Sequence, residues 1–196
     1  MRSSGSTRSR RASPSVRLLI VLVGEDHPKA CTGRRLVRRG LAMRVGSIAA
    51  LTPAPVVLDP YSATPVSRTD ATQARRGGIV AIDCSWNRLA DRGHLPVASG
   101  APAPRARHRR LPLLIATNPQ HFGRPAQLNT VEALAASLYL VGRPDEASRV
   151  VEGFHGGPTF LEVNAERLAA YAAAENADEV RAAEQRLFGG PTAGGA

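Results

Sequence analysis

The sequence predicts an α/β fold: a sheet built from short apolar strands, followed by a helical C-terminal end. Three observations carry this. Leu18–Val23, Val56–Leu58, Ile79–Cys84 and Leu111–Ala116 are short apolar runs of strand length. Ile79–Cys84 and Leu111–Ala116 lack polar alternation and read as strands buried on both faces, as in a parallel sheet. Segments of helical period separate these runs, and from Pro144 onward the pattern is helical, which indicates an α/β core with a helical extension.

The elements follow in order. Residues 1–16 are rich in Arg and Ser with no apolar stretch before Val16. They read as a disordered basic tail, or as an upstream start preceding the native one, and not as a secretory signal. Leu18–Val23 is the first strand. Thr32 is placed to cap a helix whose apolar positions Leu36, Val37, Leu41 and Val45 keep helical spacing. Val56–Leu58 is a short strand closed by Asp59-Pro60, and residues 67–76 form a polar helix or turn. Ile79–Cys84 comes next. Residues 92–110, rich in Pro, Ala, Gly and Arg, read as an irregular loop. Leu111–Ala116 is a further strand, stopped at Asn118-Pro119. Asn129-Thr130-Val131-Glu132 resembles a capping box that opens a buried Ala/Leu helix over residues 130–141, ended by Gly142. Helices over 144–154, 165–174 and 177–187 follow, with a turn at Gly156-Gly157-Pro158. The expected division is a tail (1–16), an N-terminal α/β part (17–77), a main part with the C-terminal helices (78–188) and a flexible tail (189–196).

Composition narrows the function. The chain has 196 residues, 43% of them hydrophobic, which suffices for one substantial domain or two small ones. Its net charge is +10, and Lys29 is its single lysine, so arginine carries the positive charge. A basic surface of this size attracts polyanions, and arginine forks suit phosphates and bases, so nucleic acid is the leading partner class. Arg34, Arg35, Arg38 and Arg39 on the first helix, and Arg105, Arg107, Arg109 and Arg110 in the loop, are the candidate RNA contacts; a solvated surface is the plainer reading. Cys31 and Cys84 form neither a disulfide framework nor a zinc-ligand pair, so a reducing interior, the cytoplasm, fits. His27 and Cys31 stand four apart without a second ligand pair, and no metal is expected. No apolar stretch approaches a membrane span, so no membrane partner is expected. The Gly-rich phosphate loops, the Gly-x-Ser-x-Gly elbow and His-Glu-x-x-His are all missing.

One stretch points to a site. In Ile79-Val-Ala-Ile-Asp-Cys-Ser-Trp-Asn87 a buried strand runs into Asp83, Ser85 and Trp86, the sole tryptophan. Open α/β sheets hold ligands at the carboxyl ends of their strands. Asp83 and Trp86 therefore fall where a cofactor would sit, although a helix cap and a core aromatic are equally open readings.

Four segments together resemble one family. They are Cys31-Thr32-Gly33 before a basic helix, and Leu58-Asp59-Pro60 with Ser67 and Asp70 downstream. Asp83-Cys84-Ser85-Trp86 is the third, and Arg110-Leu111-Pro112 leading to Ala116-Thr117-Asn118-Pro119 is the fourth. Gly123-Arg124-Pro125, Val131-Glu132-Ala133-Leu134-Ala135-Ala136, Phe154, Gly157, Phe160-Leu161 and Asn164 continue the match. Their order and spacing are similar to the small-subunit ribosomal RNA aminocarboxypropyltransferases of archaea and eukaryotes. Arg68, Thr117 and Gln120-His121-Phe122 depart from the family pattern, as does the Pro-rich loop before Arg107.

The resemblance implies a SPOUT-like fold whose C-terminal half ties a trefoil knot, a feature nearly absent elsewhere. It implies S-adenosylmethionine as group donor and small-subunit rRNA, or the pre-ribosomal particle, as partner. The implied reaction moves the 3-amino-3-carboxypropyl group to N3 of a uridine or N1-methylpseudouridine during ribosome biogenesis. By the same resemblance, Leu58, Pro60, Trp86, Leu111, Leu128 and Leu134 form apolar walls around the donor. Thr32, Ile82, Leu111 and Thr130 offer it mainly backbone hydrogen bonds. Asp83 is a candidate general base for the N3 proton; fixing the donor or a loop is its other role. Glu132 reads as a cap. Two alternatives stay open: an RNA methyltransferase of the same superfamily, and a non-catalytic assembly factor that binds pre-rRNA.

Overall fold

The computed structural model describes residues 15–24, 31–96 and 105–189. Residues 1–14 of the tail expected over 1–16, residues 190–196 of that expected over 189–196, His27, and the Pro-rich stretch 97–104 lie outside the described residues. Five strands form one parallel sheet: β1 (Leu18–Leu22), β2 (Met43–Arg44), β3 (Val56–Leu58), β4 (Ile79–Asp83) and β5 (Arg107–Arg109), in the order β2-β1-β4-β3-β5. β1 and β4 lie at its centre, in register from Leu18↔Ile79 to Leu22↔Asp83. Strands from both sides of the 77/78 division thus share one sheet.

Side chains alternate across a strand, so each strand feeds two layers. Leu18, Ile20, Val56, Leu58, Ile79 and Ala81 point into the large core, with the helices. Leu19, Val21, Val57 and Val80 point to the other face and meet Ile48, Val45, Leu51 and Ala106. With both faces covered, the central strands need no polar alternation, and Ile20, Val57, Ile79 and Val80 are fully buried.

The helices are α1 (Thr32–Arg38), α2 (Ala71–Gly77), α3 (Trp86–Arg92), α4 (Thr130–Leu140), α5 (Pro144–Val151), α6 (Gly157–Val163), α7 (Ala165–Ala173) and α8 (Ala177–Phe188). α4 is the hub, packing on β4, α1, α5, α6 and α7. Its Ala and Leu residues are buried almost all round, as expected for an internal helix. Asn129 and Glu132 form its capping box. None of the described helices is long and apolar enough to cross a membrane.

Several expectations are corrected. Cys31, not Thr32, caps α1: its sulfur accepts from Arg34 N. α1 ends at Arg38 and does not run to Val45. Gly40 takes a left-handed φ of 69°, and the chain extends into β2, with Val45 N donating to Ile20 O. Pairing with β1 outweighs the helical spacing of Leu41 and Val45. The loop expected over 92–110 contains β5, whose partner is β3. Gly156 is the left-handed cap of α6, with Pro158 in its first turn, where a missing N–H costs nothing.

Leu111–Ala116 is not a sheet strand. Its backbone is extended, but side chains take the place of one neighbouring strand. Leu113 N donates to Glu184 of α8, Ile115 N to Asn164, and Thr117 N to Glu132. On the other edge the returning chain pairs with it, Ala116 N to Arg124 O and Ala126 N to Leu114 O. Only alternate residues of the run are buried, Pro112, Leu114 and Ala116, while Leu111, Leu113 and Ile115 are half-buried, so it is not covered on both faces as expected. The helices' carboxylates and amide, rather than a strand, satisfy polar groups on one edge.

Candidate functional site

A pocket of about 1050 Å³ opens at the carboxyl ends of β3 and β4. The termini of α1, α3 and α4 converge on it. β3 delivers Leu58, Asp59 and Pro60; β4 delivers Ala81 to Asp83 and the turn into Trp86. The extended segment supplies Arg110 to Leu113, and the approach to α4 supplies Leu128 to Thr130. Asn118 to His121 and Phe154-His155 complete the wall. Its size matches pockets that bury small cofactors.

Asp83 ties the floor together. It is 5% exposed, and both carboxylate oxygens are occupied. Oδ2 accepts from Gly33 N at 2.6 Å and from Thr130 Oγ1 at 2.8 Å; Oδ1 accepts from Cys31 Sγ at 3.2 Å. One side chain at the end of β4 therefore joins the starts of α1 and α4. A Cβ at position 33 would overlap Asp83, so the motif needs glycine there. Burial, reinforced by the neighbouring Asp83 charge, pushes the Cys31 thiol up to about 11.

Trp86 is half-buried, and its indole Nε1 donates to Leu128 O at 2.8 Å. This bond holds the segment entering α4 against the start of α3. Glu132, 2% exposed, accepts from Thr117 N and Oγ1, Asn118 Nδ2 and Asn129 N. It caps α4 and also clamps the Thr117-Asn118 turn to it. A buried carboxylate is tolerated because donors satisfy it from several sides.

The pocket's charges are mostly spent. Asp59 Oδ2 holds His108 Nδ1 at 2.9 Å. Arg110 makes a two-pronged contact with Glu184, at 2.9 and 2.6 Å. Arg35 is different: its guanidinium lies 4.8 Å from the Phe154 ring centroid and meets no carboxylate among the described residues. Arg39 lies 4.9 Å from the same ring and donates to Glu152 O.

Thr32, Leu58, Pro60, Ile82, Trp86, Leu111, Leu128 and Thr130, expected around the donor, all line this pocket. Leu134 does not: it is fully buried in the core below. The expected RNA arginines divide. Arg34, Arg38 and Arg39 are exposed on α1, and Arg105 is exposed before β5. Arg109 instead pairs with fully buried Asp70 and Arg110 with Glu184, so their forks are occupied within the chain, while Arg107 makes a single contact with Asp70 at 3.4 Å and stays exposed. Asp70 and Glu184 lie 37 or more residues from these arginines, and no local pattern signals such pairing. His121, His155 and Glu184 reach the pocket without a sequence cue. Among the described residues no His/Cys/Asp/Glu cluster suits a metal.

Comparison with known proteins agrees with this architecture. The family described as "Ribosome biogenesis protein, C-terminal" matches residues 56–188. A second model, described as "Possible Fer4-like domain in RNase L inhibitor, RLI", matches residues 16–47. That segment holds a single cysteine, Cys31, where an iron–sulfur cluster needs four ligands. The 16S rRNA aminocarboxypropyltransferase of Methanopyrus kandleri is 45% identical over 163 residues, covering 83% of this chain and 93% of the relative. The 18S rRNA aminocarboxypropyltransferase of Schizosaccharomyces pombe is 36% identical, covering 84% of this chain and 54% of that protein. Among solved structures, the SAM-dependent rRNA:acp-transferase Tsr3 from Vulcanisaeta distributa superposes with a TM-score of 0.73 at 38% identity. That match covers 88% of this chain and 95% of the other. Sequence, family model and fold thus agree, and the chain belongs to the rRNA aminocarboxypropyltransferase family.

Proposed function

We propose that this chain transfers the 3-amino-3-carboxypropyl group of S-adenosylmethionine to a base of small-subunit rRNA, in the cytoplasm, during ribosome biogenesis. The observation that carries the reading is the pocket at the ends of β3 and β4. Its wall has the chemistry the donor asks for: Leu58, Leu111, Leu128 and Trp86 for an adenosyl group, and polar termini for an amino-acid tail.

S-adenosylmethionine supplies a sulfonium with three electrophilic carbons, so orientation decides which one a nucleophile reaches. In this reading Trp86 and the leucines cover the methyl side, and the aminocarboxypropyl arm faces the mouth. N3 of a uracil ring, the base of a uridine or N1-methylpseudouridine, then forms a bond to the arm's methylene carbon attached to the sulfur. The carbon–sulfur bond breaks with its electron pair going to sulfur, and methylthioadenosine leaves. The N3 proton passes to solvent. Asp83 is assigned to holding α1 and α4, not to taking that proton, because its oxygens already accept three hydrogen bonds. Exposed Arg34, Arg38, Arg39 and Arg105 are the proposed phosphate contacts.

The SPOUT-type trefoil knot belongs to this reading too. It is supported by the return of the chain, after β5, across the end of β4 to the start of α4, where Trp86 and Asp83 fasten it. An experimental backbone trace tests the threading. The function is tested by its by-product. With rRNA and donor, methylthioadenosine should accumulate; S-adenosylhomocysteine would mark a methyltransferase. RNA binding without saturable donor binding would mark an assembly factor.

A further inference from the structure

We infer that Arg35 is the residue that recognises the α-carboxylate of the group donor. The inference rests on the functional reading above, and its grounds lie in the charge pattern of the pocket. Arg110, the pocket's other guanidinium, is satisfied by Glu184, and Asp83 and Asp59 are satisfied by donors within the chain. Arg35 has no carboxylate partner among the described residues. It is held in place by stacking on the Phe154 ring, beside the Arg39 guanidinium on the same ring.

Two like charges on one ring repel, and among the described residues neither guanidinium pairs with a carboxylate. An anion arriving at Arg35 relieves that repulsion. Arg35 lies one helical turn beyond Thr32, so both face the pocket from α1. The donor carries two positive groups, its sulfonium and its ammonium. The carboxylate is its one negatively charged part, and a planar fork suits it. Phe154 fixes the fork before the ligand arrives, which lowers the ordering cost of binding.

The test compares S-adenosylmethionine with its decarboxylated analogue, S-adenosylmethioninamine, by calorimetry on the wild-type protein and Arg35→Gln. The wild type should prefer the carboxylate-bearing donor by about tenfold or more, as for a charge-assisted pair. Arg35→Gln should lose that preference by weakening only the carboxylate-bearing ligand. Methylthioadenosine binding and the melting temperature, both unchanged, should show that the pocket is intact. Arg35→Lys should restore part of the preference. Equal weakening of both donors overturns the inference, since the residue would then act through pocket shape. Unchanged donor affinity with a flatter salt dependence of rRNA binding also overturns it, and assigns Arg35 to phosphate. A wild-type protein that binds no adenosyl ligand overturns the functional reading itself.

Discussion

Replacing Asp83 separates an anchor from a base. Asp83→Ala removes the acceptor for Gly33 N, Thr130 Oγ1 and Cys31 Sγ at once. Losing the charge-assisted bond to buried Gly33 N–H costs about 1.5–3 kcal/mol, and the Thr130 bond about 1 more. The total is about 2.5–4 kcal/mol, or roughly a 10 °C drop in Tm for a chain of this size. Asp83→Asn should be milder. Its amide can turn so that one oxygen still serves Gly33 and Thr130 while the NH2 faces Cys31 Sγ. The expected cost is about 1–1.5 kcal/mol, the loss of charge assistance. Loss of the negative charge should raise KM for the cationic donor. The transfer rate at saturation should stay within about tenfold of wild type, with the same pH profile, because no proton passes through this side chain. The assays are thermal unfolding and rRNA modification across pH. An Asp83→Asn protein with wild-type Tm but transfer reduced 10²-fold or more, its pH dependence abolished, would refute the anchor and restore the general base.

Four further outcomes follow from the same geometry. Trp86→Ala should weaken donor binding at least about tenfold, because an apolar face of the pocket and the clasp on Leu128 O are both lost; an unchanged Kd by calorimetry contradicts this. Neutralising Arg34, Arg38 and Arg39 together should flatten the salt dependence of rRNA binding. Arg109→Ala should instead cost about 3 kcal/mol of stability, because buried Asp70 loses its more buried guanidinium partner; denaturant titration separates the two effects. The Cys31 thiol is raised from 9.0 to about 11 by burial, so the folded chain holds that proton longer than the unfolded chain. The stability this contributes is present below pH 9 and is lost as pH rises through 11. Cys31→Ser should flatten the decline between pH 9 and 10, before Tyr171, raised to about 12 by burial, begins to matter.

Much of the fold was legible because local patterns agreed with tertiary needs. β4 declared itself through a continuous apolar run, and it is the central strand with both faces covered. The Asn129–Glu132 capping box marked the start of α4 to the residue. Legibility failed where long-range pairing overrode local pattern. β2 has two exposed residues and exists only because β1 offers its edge. β5 reads Arg-His-Arg, and no propensity signals a strand; Asp70, Asp59 and the edge of β3 hold it. Leu111–Ala116 carried the right apolarity, but its polar groups are met by Glu184 and Asn164, far along the chain. The site shows the same split. Trp86 and Asp83 were visible at the end of β4. The seat of Arg35 on Phe154, 119 positions away, was not, since stacking across such a separation leaves no mark on spacing.

The most direct measurement follows the fate of two labels. Small-subunit rRNA is incubated with the protein and with S-adenosylmethionine labelled either in the carboxyl carbon or in the methyl group. If the methyl side lies against Trp86 and the arm faces the mouth, carboxyl label enters the RNA and methyl label leaves in methylthioadenosine. Methyl label in the RNA would contradict that orientation and make the chain a methyltransferase.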